Sequence, residues 1–247
     1  MTKKGILTTL VIVLFTTLVS GQKHNIVNAS IALRNENYVD AKKYIDEAFE
    51  NESTSNSPKM WNYRAPIYLQ IALKEPILDI DAVFKATEAH LKCLKTEKKN
   101  KIIVRKWTSK DDVLAGLIQC GYKLFNLAIE EYNKGNYKRS IKHYSAIFNI
   151  VPFDEEDQLK RGNITNETIL YNSFFSSSKM KDNSKSKELL QQLIDINFNE
   201  PAIYIHMSNI YLEEEDFESA FKYLALGRDM FEDDQALITE EINLYIR

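Results

Sequence analysis

Apolar and polar positions along this chain repeat one local arrangement. A polar turn is followed by an aromatic, and then by small and large residues at helical spacing. Gly135-Asn136-Tyr137 leads into Ser140, Tyr144 and Ile147, with Pro152 beyond. Asp216-Phe217 leads into Ala220, Leu224 and Gly227, and Asn37-Tyr38 into Ala41, Ile45 and Ala48. Asp182-Asn183, without the aromatic, leads into Ser186, Leu190 and Leu193. Spacings of three and four put these residues on one helical face. A small residue where two helices cross lets their backbones approach, and the larger residue one turn on fills the next gap.

A matching helix lies upstream of each turn. Leu124, Leu127 and Ala128 precede Gly135, and Tyr204, Met207, Ser208 and Tyr211 precede Asp216. Leu170, Ser173, Phe174 and Ser177 precede Asp182. Trp61, Ala65 and Tyr68 mark a further first helix, whose partner carries Ala86, His90 and Cys93 after a longer link containing Pro76. The joint recurrence resembles the tetratricopeptide repeat, a helix–turn–helix unit of about 34 residues. It covers nearly all of 22–247, in units at about 24–57, 58–97, 111–153, 166–199 and 201–233, with a terminal helix over 234–247. Units three to five match well. Unit one has a weak first helix, unit two has an insertion between its helices, and a link from Lys95 to Lys110 precedes unit three. The resemblance implies an all-α, α-α superhelix: stacked helix pairs bury a core that no single pair could bury, with first helices on the concave face.

Composition agrees with a helical globular chain. Of 247 residues, 44% are hydrophobic and 27% charged, and Gly (7) and Pro (5) are scarce, which argues against a fold of many tight turns. The formal net charge of −3 gives no general attraction for nucleic acid.

The first 21 residues read differently. Lys3 and Lys4 precede an apolar run from Ile6 to Val19, and Val19-Ser20-Gly21 offers small residues for cleavage. This is the secretory signal pattern, and the run is shorter than the roughly 20 residues of a spanning helix. No cysteine follows the small residues, so the lipoprotein pattern is missing. The expectation is a mature chain from Gln22, exported to the periplasm or beyond. With spacing and composition, the signal pattern resembles that of exported repeat proteins of Bacteroidota. Export raises the question of a disulfide between Cys93 and Cys120, expected on neighbouring antiparallel helices; two small buried apolar side chains are the alternative.

Catalytic patterns do not stand out. His24, His90, His143 and His206 are dispersed, no metalloprotease or phosphate-loop motif occurs, and His90 falls on a helix-packing position. The acidic runs Glu213-Glu214-Glu215 and Asp229 to Asp234 lack the spacing of a calcium loop. The expected protein is therefore no enzyme and holds no cofactor or metal. One stretch is basic, with Lys98, Lys99, Lys101, Arg105, Lys106 and Lys110 around Trp107; it reads as a solvated connector or as a contact for an anionic partner or membrane surface.

In the family it resembles, certain first-helix positions point into the groove. Carried over by register, they are Tyr122, Asn126, Ile129 and Asn133 in unit three, Tyr171, Asn172 and Phe175 in unit four, and Ile205, His206 and Asn209 in unit five. Asparagine amides can pair with an extended backbone, and Tyr and Phe add contact area at low entropic cost. Lysines are nearly absent from these positions, unlike the basic clamp of chaperone-binding members. The resemblance thus implies a scaffold for a protein or extended peptide and not for nucleic acid, or alternatively an assembly component of an envelope complex. The terminal helix is expected to pack on unit five and to leave an apolar strip, because Leu237, Leu244 and Tyr245 are hard to bury in one stripe together with Ile238, Ile242 and Ile246; the strip, tested at Leu244 and Tyr245, would mediate self-association or dock a partner.

Overall fold

The computed structural model describes residues 24–96 and 102–246. The signal-like stretch and Lys98, Lys99 and Lys101 lie outside the described residues. The fold is all-α, with twelve α-helices among the described residues, most of them paired in successive helix hairpins. Two compact units are formed, 1–123 with 152–158 and 124–151 with 159–247.

The first unit holds α1 (24–34), α2 (Tyr38–Glu50), α3 (Pro58–Lys74), α4 (Ala82–Cys93) and the start of α5 (Lys110–Asn133). Pro58 opens α3 where its missing N–H costs nothing. Arg64 on α3 is buried, its guanidinium 4.1 Å from the Phe49 ring and 4.5 Å from the Tyr68 ring. Such burial requires a counter-charge, and Asp46 on α2 provides it, accepting from Arg64 at 2.7 Å and from the Tyr68 hydroxyl at 2.5 Å. Between α3 and α4 the insertion forms a short 3-10 turn, Pro76–Leu78. After α4 the link contains something the helical periodicity does not reveal: β1 (Leu94–Thr96) pairs antiparallel with β2 (Ile102–Val104), Leu94 opposite Val104.

His90 on α4 is buried against Gly116 of α5, so it is a core histidine. Cys93 and Cys120 are both buried free thiols, the arrangement of two small buried side chains. Burial pushes the Cys93 thiol up to about 11, partly opposed by Arg105, and Cys120 up to about 12, partly opposed by Thr87.

The second unit holds the end of α5, α6 (Tyr137–Ile147), most of the one-turn α7 (Gln158–Arg161), α8 (Asn166–Lys179), α9 (Asn183–Asp195), α10 (Ala202–Glu213), α11 (Phe217–Met230) and α12 (Gln235–Ile246). Leu170, Phe174, Leu190, Leu193, Ile203, Tyr204, Met207, Ala220 and Leu224 make its core. Small residues sit where helices cross. Ala220 is fully buried, and the Ser140–Ser176 and Ser177–Ser186 hydroxyls pair at 3.1 and 2.8 Å, so the close approach strands no polar atom of these four.

One turn joins the two helices within each of four hairpins. Glu36, Gly135, Lys181 and Glu215 each take the left-handed conformation, with φ of 55°, 80°, 57° and 61°. The next residue, Asn37, Asn136, Asp182 or Asp216, sends its N–H back five positions, to the carbonyls of Ala32, Glu131, Ser177 and Tyr211 respectively. This is the Schellman closure, which satisfies carbonyls at a helix end. Asn37, Asp182 and Asp216 then cap the following helix through their side chains.

The terminal helix differs from expectation. Leu237 and Leu244 are buried, while Ile242, Tyr245 and Ile246 are 52%, 72% and 78% exposed. Gly227 explains the rotation. Lacking a side chain, it leaves room for Leu237, whose Cδ2 lies 2.9 Å from where a Cβ would stand. Leu244, two turns on, follows Leu237 inward. An apolar strip remains, made of Ile242, Tyr245 and Ile246 and without Leu244.

Candidate functional site

The residues expected to meet a ligand are mostly accessible, and the second unit brings several together. Ile129 on α5 is 40% exposed and, with Tyr132, Tyr144, Asn172 and Phe175, lines a hollow of 180 Å³. Next along, Phe174, Ser178, Lys181, His206, Asn209 and Glu213 are among the residues lining a hollow of 450 Å³. The two lie on either side of adjacent aromatic residues, Phe174 and Phe175, whose ring centroids are 5.3 Å apart.

Those rings belong to a wider cluster. Tyr171 lies 4.7 Å from Phe175 and 5.5 Å from Phe198, and the His206 ring is 5.0 Å from Phe174. All three pairs are tilted, with centroids inside the roughly 4.5–7 Å range of interacting aromatic rings. Burial lowers the His206 pKa below its ordinary value, with Glu200 working the other way. Burial, helped by Glu200, raises that of Tyr171. The imidazole therefore stands neutral near pH 7, a ring that offers one donor and one acceptor to a ligand rather than a charge.

Placement of the others varies. Asn126, Asn133 and Asn209 are exposed, Asn172 is half-buried, and Ile205 is half-buried against the core of the second unit. Tyr122 lies in the first unit, 37% exposed, and its hydroxyl donates to the Gln158 carbonyl at 2.6 Å. That hydroxyl is committed to the protein, a partner 36 positions downstream that no local pattern could reveal.

Register reading missed part of the lining. Tyr144 and Phe174 pass for core positions, and both are core residues that still show an edge to a hollow. Phe198 lies in the connection after α9 and carries no helical signal. Lys181 and Glu213 belong to hairpin ends, and their charges border the larger hollow. The combination of flat apolar rings, side-chain amides and one pair of opposite charges can hold an extended chain through its backbone and select its side chains. Among the described residues no group of three or more His, Cys, Asp or Glu is placed to hold a metal ion.

No family model matches the sequence. A curated relative, the pentatricopeptide repeat-containing protein ELI1, chloroplastic, of Arabidopsis thaliana, is 30% identical over 123 residues, which is 47% of this chain and 19% of that protein. The chain thus spans about a fifth of the length of the relative it matches. Among solved structures, Pseudomonas aeruginosa PilF aligns over 91% of this chain and 87% of its own, with 16% identity and a TM-score of 0.36. PilW, a type IV pilus biogenesis factor, aligns over 90% and 82%, with 15% identity and a TM-score of 0.39. The tetratricopeptide domain of P58(IPK) aligns over 92% and 65%, with 12% identity and a TM-score of 0.36. What the chain itself displays is an α-helical hairpin repeat fold with an aromatic, amide-bearing surface on successive first helices of its second unit.

Proposed function

We propose that this chain is an exported, non-enzymatic scaffold that binds a protein or an extended peptide across α5, α8 and α10 of its second unit. The observation that carries this reading is the pair of hollows on those helices, lined by Ile129, Asn172 and Phe175 and then by His206 and Asn209. Asn126 and Asn133 on α5 extend the row of amides. The signal-like start of the sequence supports export to the periplasm or beyond, as does the resemblance to exported repeat proteins of Bacteroidota.

The test is a comparison of captures from native envelope by wild-type protein and by Asn126→Ala/Asn172→Ala. Both substitutions leave the core intact, so helicity and melting temperature should hold while a specific partner is lost. A well-folded double variant that captures the same partner undiminished would move the binding surface elsewhere. N-terminal sequencing of native material, expected to begin at or near Gln22, tests export separately.

A second reading, an assembly component of an envelope complex, draws on the exposed strip of Ile242, Tyr245 and Ile246. Such a strip suits a long-lived contact, including one with a second copy of the chain.

A further inference from the structure

Charge is unevenly distributed along this chain. From Lys92 to Lys110 the sequence holds eight basic residues against Glu97, a net of +7; all other residues, 24 basic against 34 acidic, carry −10. A basic stretch of this size in an otherwise acidic chain attracts anionic partners.

The described part of that stretch adds geometry. Arg105 closes the ribbon, its N–H donating to the Cys93 carbonyl at 2.9 Å. The chain then turns, and the N–H and hydroxyl of Thr108 both donate to the Arg105 carbonyl, at 3.2 and 2.7 Å. Trp107 is the third residue of this turn and has a φ of 80°. A bulky side chain is strained there, and a glycine would be at ease. The strain is not repaid by burial: the Trp107 indole is 62% exposed, against 5% for Trp61. The ammonium groups of Lys59 and Lys106 stand 5.6 and 5.3 Å from the indole centre. Lys110 is held by Glu155 at 2.7 Å, which leaves Lys59 and Lys106 as the cations beside the ring, with Arg105 opening the same turn.

We propose that this turn docks the protein on an anionic phospholipid surface, with Trp107 entering the headgroup layer and Lys59, Arg105 and Lys106 meeting the phosphates. An amphipathic indole flanked by two lysines favours the boundary between water and hydrocarbon, where tryptophan concentrates. A peptide partner would call for a lined groove, whereas a strained indole held out in solvent makes a point contact of the depth a headgroup layer offers. The inference is independent of the peptide-binding reading, which concerns the other unit.

The experiment mixes the full chain with vesicles of phosphatidylcholine alone and of phosphatidylcholine with one-third phosphatidylglycerol. Tryptophan emission and its quenching by bromine-labelled lipids are followed. Trp61 is buried, so changes report Trp107, and Trp107→Phe should abolish them. The apolar N-terminal stretch could carry the chain to both kinds of vesicle, but the Trp107 signal reads the turn alone. The expected result is a blue shift and quenching with the anionic vesicles only, weakened by salt. Lys106→Glu should lower the apparent affinity at least about tenfold. Lys222→Glu, an exposed site on α11 with the same change in charge, should lower it less than about twofold. An emission that anionic vesicles leave unmoved, an equal response to neutral vesicles, or equal effects of the two substitutions would overturn the proposal. So would a shift produced by single-stranded RNA or polyglutamate but not by vesicles, which would assign the turn to a soluble polyanion.

Discussion

The imidazole of His90 fills the space that a side chain on Gly116 would need: a Cβ at Gly116 would fall 2.1 Å from the His90 ring. Neither ring nitrogen has a hydrogen-bond partner among the described residues, and burial pushes the His90 pKa down to about 4. In the unfolded chain the group titrates near its ordinary 6.5. Below that value the unfolded state takes up the proton first, so stability is present above about pH 6.5 and is lost as the pH falls toward about 4. The loss is on the order of 3 kcal/mol. The melting temperature of wild type, measured from pH 7.5 down to 4, should therefore fall more steeply than that of His90→Leu. Parallel pH profiles would show that His90 is not the group responsible.

Gly116→Ala tests the same contact from the other side. The added methyl meets ring atoms on a packed helix, so a cost of roughly 1–3 kcal/mol is expected at neutral pH. A variant that melts with the wild type would mean that α4 and α5 separate more easily than their packing implies.

Asp46 gives a second electrostatic prediction. Burial works to raise its pKa, but hydrogen bonds from Lys42, Tyr68 and Arg64 outweigh it and hold the carboxyl below its usual range. The group therefore contributes stability above its unfolded value near 3.8, lost as the pH falls through the lower folded value. Asp46→Asn leaves the Arg64 guanidinium uncompensated between two rings, at a cost of about 2–3 kcal/mol once partial exposure is allowed for. Asp46→Leu with Arg64→Met removes both charges and should recover part of that loss in urea titrations. A double variant worse than the single one would contradict this account of the pair.

Ala220 and Lys222 separate packing from mere hydrophobicity. Ala220→Leu drives three carbons into a fully buried crossing and should cost roughly 1–3 kcal/mol or more, while Lys222→Leu on the exposed face should cost little. Thermal melts of the two variants that coincide would place α11 in the wrong rotation.

The terminal strip predicts association. Ile242→Glu with Tyr245→Glu should abolish concentration-dependent sedimentation while leaving the fold intact, because both side chains are exposed. Leu244 is unsuitable for this test, since it is buried and its charge variant would unfold the helix. A wild-type chain that sediments as a monomer at high concentration would remove self-association from the reading.

Much of this fold is legible because its repeat is local. A polar turn, a cap, an aromatic and a small residue within a dozen positions specify one hairpin, and Ala41, Ser140, Ser186 and Ala220 all fall where that pattern puts them. What escapes is set by distant partners. The ribbon of Leu94–Thr96 and Ile102–Val104 depends on pairing across a gap, and three β-branched residues in a row were its main local sign. The rotation of α12 is decided by a space at Gly227, ten residues upstream of the leucine that fills it. In the candidate site, Tyr171, Asn172 and Phe175 were readable from register, but Phe198 arrives from a connection and Tyr122 is claimed by Gln158.

The connector shared by the hairpins bears on how such a chain can grow. Four junctions use the same left-handed residue and the same closure back five positions, with only Gly135 being a glycine; Glu36, Lys181 and Glu215 do the same work with ordinary side chains. A joint that tolerates its residue so freely is a standard fitting. A gene encoding such a chain can duplicate or delete one hairpin, and each copy carries its own turn with it. Array length then becomes a quantity that recombination can adjust in steps, while selection is left to act on the faces the hairpins present.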